Sequence, residues 1–363
     1  MSILVIFAVS LALSTGAVAL VIRFSHKKAW YDYIDERKNH SGDIPRLGGI
    51  GFAFAFIVVL SCLGIVFGGI EENLRFLPCF LAMIITLISG AIDDFRPMAP
   101  RYKLLLQFTA ALCVIIPGFT FGRILYTGPG FLSDLGWLTY PVTFLWVVGL
   151  TNAINLIDGV DGLAGGLSAI IVFFFALIFF SFTNEASRSL LFCACLFGAL
   201  AGFLVFNAPV PKAKIFMGDC GAQFLGFVLA LLPLMKDHHQ NGPSSLPVLY
   251  AAALLVIPIF DTTAAVWRRL RDGKKIYDPD KSHLHHKLIY LGLGARGVNA
   301  VLYSLQILIG ILTFIAVRLD GLPSLCVLGS TYLTALVFFA VIHFMNRAVT
   351  ARKKSEAAGK IPA

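Results

Sequence analysis

The sequence predicts an all-α, polytopic membrane protein with about eleven transmembrane helices, its N-terminus outside and its C-terminus in the cytoplasm. Three observations carry that prediction. Of 363 residues, 58% are hydrophobic and only 13% are charged, against about 25% charged in soluble chains. Apolar runs almost free of charge recur from Ile3 to Phe344. The 29 Lys and Arg residues also fall very unevenly between alternate loops. With a mean hydropathy of +0.83, a water-soluble domain, a disordered chain and a disulfide scaffold are excluded.

A spanning helix needs about 20 apolar residues. Runs of that kind cover 2–22, 47–68, 76–92, 103–121, 137–151, 163–181, 189–207, 220–235, 246–266, 298–317 and 322–345. In the first, Ala17-Val18-Ala19 resembles a signal-peptide cleavage site. No positive residue precedes it, however, and Arg23, Lys27 and Lys28 follow, the polarity of an uncleaved anchor with an external N-terminus. The fifth and eighth runs are short. Pro258 inside the ninth predicts a kink, because proline lacks an N–H and its ring displaces the carbonyl four residues back. Residues 1–345 therefore read as one integral-membrane domain, completed by a loop at 267–297, with a basic cytoplasmic tail at 346–363. No internal repeat, coiled coil or low-complexity stretch interrupts it.

With eleven crossings, one set of loops holds 24 of the basic residues and the other only five. The positive-inside rule places the first set in the cytoplasm. The net charge of +9 then reflects topology rather than nucleic-acid binding. Seven cysteines without paired spacing read as buried free thiols.

Fourteen of the twenty acids lie on the cytoplasmic side, several of them at span ends. Asp93 and Asp94 close the third run, Asp158 and Asp161 precede the sixth, Asp219 precedes the eighth, and Asp261 lies just beyond Pro258. Singly, each has an ordinary reading as a solvated helix end or an N-cap. Together at one membrane depth they point to function. Carboxylates beside a basic loop suggest Mg2+ and phosphate, since Mg2+ takes one or two protein carboxylates and leaves the remaining positions to phosphates and water. Adjacent Asp93 and Asp94 point about 100° apart on a helix, so one can face the chemistry while the other holds a lysine or a backbone group.

The glycines of Asp158-Gly-Val-Asp161-Gly-Leu-Ala-Gly-Gly166 and Met217-Gly-Asp219-Cys-Gly221 allow two readings. They either open backbone N–H groups to an anion or permit close helix packing. Neither spacing is that of a Rossmann or P-loop motif. In the basic loop, His283-Leu-His285-His286 lacks the i, i+4 spacing of a helical zinc pair, and donation to a diphosphate is an equal reading. The competing class, a transporter or lipid flippase, calls for ionisable groups at mid-membrane and paired repeats; here such groups gather at one face.

Taken in order, these motifs carry a resemblance. Asp93-Asp94 with Lys103, Asn152-Ala-Ile-Asn155-Leu-Ile-Asp158-Gly-Val-Asp161, Phe216-Met-Gly-Asp219 and His283-Leu-His285-His286, preceded by Pro45-Arg-Leu-Gly-Gly49, resemble the polyprenyl-phosphate N-acetylhexosamine-1-phosphate transferases over about residues 40–297. The H-x-H-H form is similar to the lipopolysaccharide and teichoic-acid branch. The resemblance implies a multi-pass enzyme of the bacterial inner membrane, with its active site facing the cytoplasm. Such an enzyme transfers HexNAc-1-phosphate, GlcNAc-1-phosphate foremost, from a UDP-sugar to undecaprenyl phosphate, releases UMP and initiates cell-envelope glycan synthesis. It implies Mg2+, with Mn2+ as a substitute, held by Asp219 with Asn155. Phe216 would stack on uracil and Asp161 would hydrogen-bond it, with Asp158 nearby. Asp93 and Asp94 would organise the lipid phosphate, Lys103 would pair with phosphate or with that Asp pair, and His283, His285 and His286 would bind the diphosphate or sugar phosphate. Its partners would be undecaprenyl phosphate, a UDP-N-acetylhexosamine and membrane lipids, with a homodimer as a candidate assembly and no nucleic acid. A third family aspartate has no counterpart, because Pro97 stands in its place.

Overall fold

A computed structural model describes residues 2–31, 44–67, 69–126, 134–183, 187–235, 246–278, 280 and 282–357. Arg37, Lys38, Glu185, Lys236, Asp237, Lys281 and the last six residues of the tail lie outside the described residues. Among those described there is no β-strand, only two isolated bridges. The helices are α1 (Ile3–Lys28), α2 (Gly48–Phe67), α3 (Ile70–Phe95), α4 (Pro100–Ile115), α5 (Thr139–Ile157), α6 (Leu163–Thr183), α7 (Arg188–Asn207), α8 (Gly218–Leu231), α9 (Val248–Leu254), α10 (Val256–Arg271), α11 (Leu284–Tyr290), α12 (Ala295–Arg318) and α13 (Gly321–Ala357).

Each of the eleven apolar runs contains helix, although the fourth, read as 103–121, is helical only to Ile115. Among the described residues, seven helices are long and apolar enough to cross a membrane, and α9 with α10 raises the number to eight if that bent pair counts as one span. The apolar stretches Gly48–Gly64 and Gly218–Leu234 are shorter, and α4 has 16 residues.

The ninth run is broken rather than gently kinked: α9 and α10 meet at 89°. The break falls at Leu255, just ahead of Pro258, where the proline ring would strike the Leu254 carbonyl. Gln306 of α12 donates to that freed carbonyl at 2.9 Å. Buried backbone groups in a bilayer need such a partner. The break aims α10, and Asp261 with it, toward the histidine segment.

The centre of the molecule is α8. Every residue from Cys220 to Leu231 is buried, as expected of a helix apolar all round, and α2, α3 and α5 pack around it. Where α2 passes α8, a methyl on Gly49 would collide with the Gly221 backbone; small residues are what permit this close approach. The Trp146 indole of α5 donates to the Ala230 carbonyl at 3.0 Å. Fourteen residues rise only about 21 Å, less than the ~30 Å hydrocarbon core. The N-terminus of α8, with Asp219, is thus set inside a ring of longer helices.

The 158–166 glycines serve packing. The Gly162 N–H goes to Asn207 Oδ1 at 3.0 Å, its carbonyl accepts from the Tyr303 hydroxyl, and a side chain on Gly166 would collide with Tyr303. The start of α6 therefore has no Gly162 N–H to offer an anion.

Candidate active site

The chain between Pro45 and Gly49 lies alongside 216–217. Phe216 donates its N–H to Pro45 O at 2.8 Å, while Gly48 and Gly49 donate to Phe216 O and Met217 O at 2.9 and 2.8 Å. This short lattice of backbone bonds delivers Arg46, Phe216 and Asp219 to one place. Gly218 links them with φ +74°, a conformation glycine adopts without penalty. A side chain there would strike the Arg46 carbonyl.

Asp93 and Asp94 end α3, where carboxylates oppose the helix dipole and need compensation. They diverge as their helical spacing requires. Asp94 accepts from Arg46 Nε and Nη2 at 3.2 and 3.0 Å and from the backbone N–H groups of Asp219 and Cys220 at 2.9 and 3.0 Å. It is an N-cap for α8 supplied by another helix. Asp93 is ion-paired with Lys103, accepts from the Met98 N–H at 2.7 Å, and its carboxyl reaches that of Asp219. Asn155 Nδ2 donates to Asp219 Oδ1 at 2.6 Å.

Asn155 was expected at the edge of a loop beginning at residue 152. Instead α5 continues to Ile157. Asn152 stays helical because its amide donates to Val148 O at 2.8 Å and to Gln107 Oε1 at 2.7 Å. Asp158 caps the end of α5.

These residues line a cavity of about 260 Å³. Arg46, Asp94, Asn155, Asp158, Asp161, Phe216 and Asp219 all face it, with Asn207 at its wall. Among the described lining residues, four carboxyl groups, one of them Asp158, meet a single cation, Arg46, so the field inside is negative. Burial, reinforced by Asp219, Asp94 and Asp161, pushes the Asp158 carboxyl up to about 8, although part of its surface remains open to the cavity.

The histidines approach from the other side. Asp261 of α10 is buried, with Oδ2 2.9 Å from His283 Nδ1 and Oδ1 accepting the Leu284 N–H at 2.8 Å. Asp261 thereby fixes both the His283 ring and the start of α11. His285 lies against Gly159, where a methyl would strike its Nε2 edge. Its Nδ1 is buried without a hydrogen-bond partner. Burial and the neighbouring His286 bring its pKa down to about 3, so the ring is neutral at pH 7. His286 sits beside it, with ring centroids 4.2 Å apart.

Of the expected residues, Asp94, Asn155, Asp158, Asp161, Phe216 and Asp219 line the cavity. Asp93 and Lys103 adjoin it through Asp219, and His285 reaches its wall at Gly159. His283 is engaged by Asp261 behind that wall. Sequence reasoning passed over Arg46 and Asn207. Arg46 lay in a recognised motif but was assigned no part, and Asn207 at a helix end carried no signal of its own. Asp261 stood out only as a carboxylate near a proline.

Among the described residues, no group of three or more His, Cys, Asp or Glu side chains forms a ready-made metal cage. The donor set nonetheless suits a hard cation that completes its shell with phosphate and water. Asp219 offers carboxylate oxygen in a negative cavity, in reach of the Asp93 carboxyl and braced by Asn155. Two carboxyls within reach of each other need a shared proton or a cation between them.

The comparisons agree with this geometry. Residues 76–236 match the model of glycosyl transferase family 4. The chain is 33% identical over 347 residues to a probable undecaprenyl-phosphate N-acetylglucosaminyl 1-phosphate transferase of Bacillus subtilis, covering 95% of this chain and 90% of the relative. It is 30% identical over 271 residues to the undecaprenyl-phosphate alpha-N-acetylglucosaminyl 1-phosphate transferase of Escherichia coli K12, covering 72% and 69%. A Yersinia pestis enzyme with that same name is 28% identical over 309 residues, covering 83% and 81%. Likeness across nearly the whole length, together with a cavity built from the motif residues, identifies the chain as a phosphoglycosyl transferase that belongs to the polyprenyl-phosphate N-acetylhexosamine-1-phosphate transferase family.

Proposed function

We propose that this chain transfers GlcNAc-1-phosphate from UDP-GlcNAc to undecaprenyl phosphate, giving undecaprenyl-diphosphate-GlcNAc and UMP and starting a cell-envelope glycan at the cytoplasmic face of the inner membrane. The observation that carries this reading is the convergence on one 260 Å³ cavity of Asp94, Asn155, Asp158, Asp161, Phe216 and Asp219 from three separate stretches of chain. The relatives' names supply the acceptor and the sugar. The 24-to-5 split of basic residues supports eleven crossings with this face inward.

In the reaction, an oxygen of the lipid phosphate attacks the β-phosphorus of the nucleotide sugar. The bond from that phosphorus to the bridging oxygen breaks, and UMP leaves with the electron pair. A phosphate monoester has a second pKa of about 6, so the nucleophile is already ionised at neutral pH and no side chain need deprotonate it. Catalysis then rests on alignment and charge stabilisation, as in phosphoryl transfer generally. A magnesium ion held by Asp219 with Asn155 would supply neutralisation of phosphate charge. The protein's own groups do the remainder. Phe216 offers a ring face for uracil and Asp161 an acceptor for its N–H, with Asp158 beside it. Lys103, held in place by Asp93, presents a cation to the acceptor phosphate. Asp94 keeps Asp219 at the end of α8. Neutral His285, with His286 beside it, donates to the diphosphate or sugar phosphate, and His283, held by Asp261, sets the position of that segment.

The test is incubation of the purified protein with Mg2+, undecaprenyl phosphate and a panel of UDP-sugars, with UMP release as readout. UDP-GlcNAc should give the highest kcat/KM. No UMP release with any of the donors, with Mg2+ present and the protein folded, would reject the reading. A labelled phosphosugar trapped on Asp93 or Asp94 would replace single displacement by a covalent route. Phe216→Ala should raise the KM for the nucleotide sugar about tenfold or more, since an aromatic platform contributes about 1–3 kcal/mol per base, with the lipid KM little changed.

A further inference from the structure

A second cavity, of about 370 Å³, lies between α10, α11 and α13, lined by Arg268, Ser282, Lys287, His343, Asn346 and Arg347, with Thr350 and Ala351 at its end. None of these residues lines the first cavity. Its character is opposite. Three basic side chains, Arg268, Lys287 and Arg347, and an imidazole surround it. Among the described residues, the one carboxylate ion-paired with this set is Asp280, on Arg268. Burial and the Arg268 charge hold the Lys287 ammonium below its usual range, a cost that an anion seated beside it would relieve.

The surroundings indicate what kind of anion. The same helices expose Trp267, Leu270, Phe344 and Met345, positions adjoining Arg268, Arg271 and His343 in the chain. α13 has 37 residues, about 55 Å of helix against a ~30 Å hydrocarbon core, so its last turns, with Arg347 and Thr350, stand at or beyond the membrane surface. Cations beside exposed aromatic and aliphatic side chains at that depth fit a molecule with a phosphate at one end and hydrocarbon at the other.

We propose that this cavity binds the phosphate headgroup of an anionic phospholipid from the leaflet on the active-site side, at a site separate from that of the acceptor lipid. Its consequence runs through α11. That helix turns Lys287 to the basic cavity and His285 to Gly159, and Asn346 of α13 donates to the Lys287 carbonyl at 2.9 Å. A headgroup bridging Arg347 and Lys287 would tie α13 to the helix that carries the histidines. Anionic lipid would thereby steady the histidine side of the active site without entering it.

The experiment uses the full chain in nanodiscs of phosphatidylcholine, with or without phosphatidylglycerol, and follows hydrogen exchange of residues 284–291. Phosphatidylglycerol should slow that exchange. Arg347→Gln should weaken its effect about fivefold, the affinity one basic residue contributes at a membrane surface. Arg347→Lys should keep most of it, and Arg271→Gln, an exposed cation outside the cavity, should keep all of it. Three results would overturn the proposal: equal exchange in the two lipids, equal losses in Arg347→Gln and Arg271→Gln, or the same protection from inorganic phosphate or undecaprenyl phosphate added to phosphatidylcholine discs. The lipid comparison in the wild-type chain decides the matter even if Arg347→Gln fails to fold.

Discussion

Asp94 and Asp261 each hold the N-terminus of a helix to which they do not belong, and the two helices could hardly differ more. Asp94 accepts from the Asp219 and Cys220 N–H groups of α8, whose body is buried from Cys220 to Leu231. Asp261 accepts from Leu284 of α11, a helix of seven residues. Isolated helices so short are not stable in water. Packing on every side therefore sets where α8 lies, and Asp94 mainly sets the orientation of its first turn. For α11, the Asp261 clamp is a large share of what defines its position. The carboxylate side of the site is thus built on the protein's most buried helix and the histidine side on one of its least supported. A charged group needs its geometry held firmly when it must face another carboxylate, as Asp219 faces Asp93. A neutral imidazole donor tolerates a looser mount.

Breaking the first side should have the largest effect. Asp219→Asn should lower transfer by about 10³-fold or more, the scale on which loss of a single preorganised electrostatic group is felt, with membrane insertion and thermal stability unchanged. Substantial UMP release by the purified variant would remove Asp219 from the chemistry. Next, the two clamps should separate when each is cut. Asp94→Ala leaves Arg46 without its carboxylate and two buried N–H groups without acceptors. Breaking a buried pair in this way costs about 3–5 kcal/mol, read as a lower denaturation midpoint. Asp261→Ala removes what is mainly a cap, typically about 1 kcal/mol, and should lower kcat well beyond what that loss of stability explains. Equal stability losses would erase the distinction between the two helices.

Gly159→Ala sharpens the comparison without touching a polar group. The added methyl meets the His285 ring, and a displacement of about 1 Å at a catalytic group can cost about 10²-fold. The loss should appear in kcat while nucleotide binding persists. A further effect is on acid stability. Burial depresses the His285 pKa from 6.5 to about 3, so the unfolded chain gains a proton at this ring as pH falls below 6.5 while the folded chain does not until about 3. Stability from this residue is present above 6.5 and drains away across that window. His285→Gln should flatten the fall in denaturation midpoint between those pH values, and an unchanged slope would mean the ring is protonated in the folded state.

Much of this was legible in the residues. Apolar runs mark every long helix, though not the seven-residue α11, because a bilayer demands about 20 apolar residues in succession, a constraint local enough to read along the chain. The divergence of Asp93 and Asp94 followed from helical geometry alone. Site residues with ionisable side chains in apolar surroundings stood out for the same reason. What the pattern misjudged were junctions. Asn152 and Asn155 look like loop residues, yet an amide bonded to Val148 and Gln107 carries α5 on to Ile157. Pro258 announced a bend, but not that Gln306, some fifty residues onward, would satisfy the opened carbonyl and allow a right-angled break.

By itself, then, the sequence determined which segments are helical and apolar and which few polar residues they carry to one face. Those follow from composition and period within a single segment. Only the tertiary structure decided that Asp94 serves α8 while Asp93 serves Lys103, that Gly162 and Gly166 pack against Asn207 and Tyr303 rather than cradle phosphate, that Asp261 orders the histidines, and that a positive cavity bordered by Lys287 lies apart from the negative one. Each of these is a meeting of groups distant in the chain. Whether a carboxylate finds a guanidinium, an amide or another carboxylate depends on how helices pack, and no local pattern encodes that.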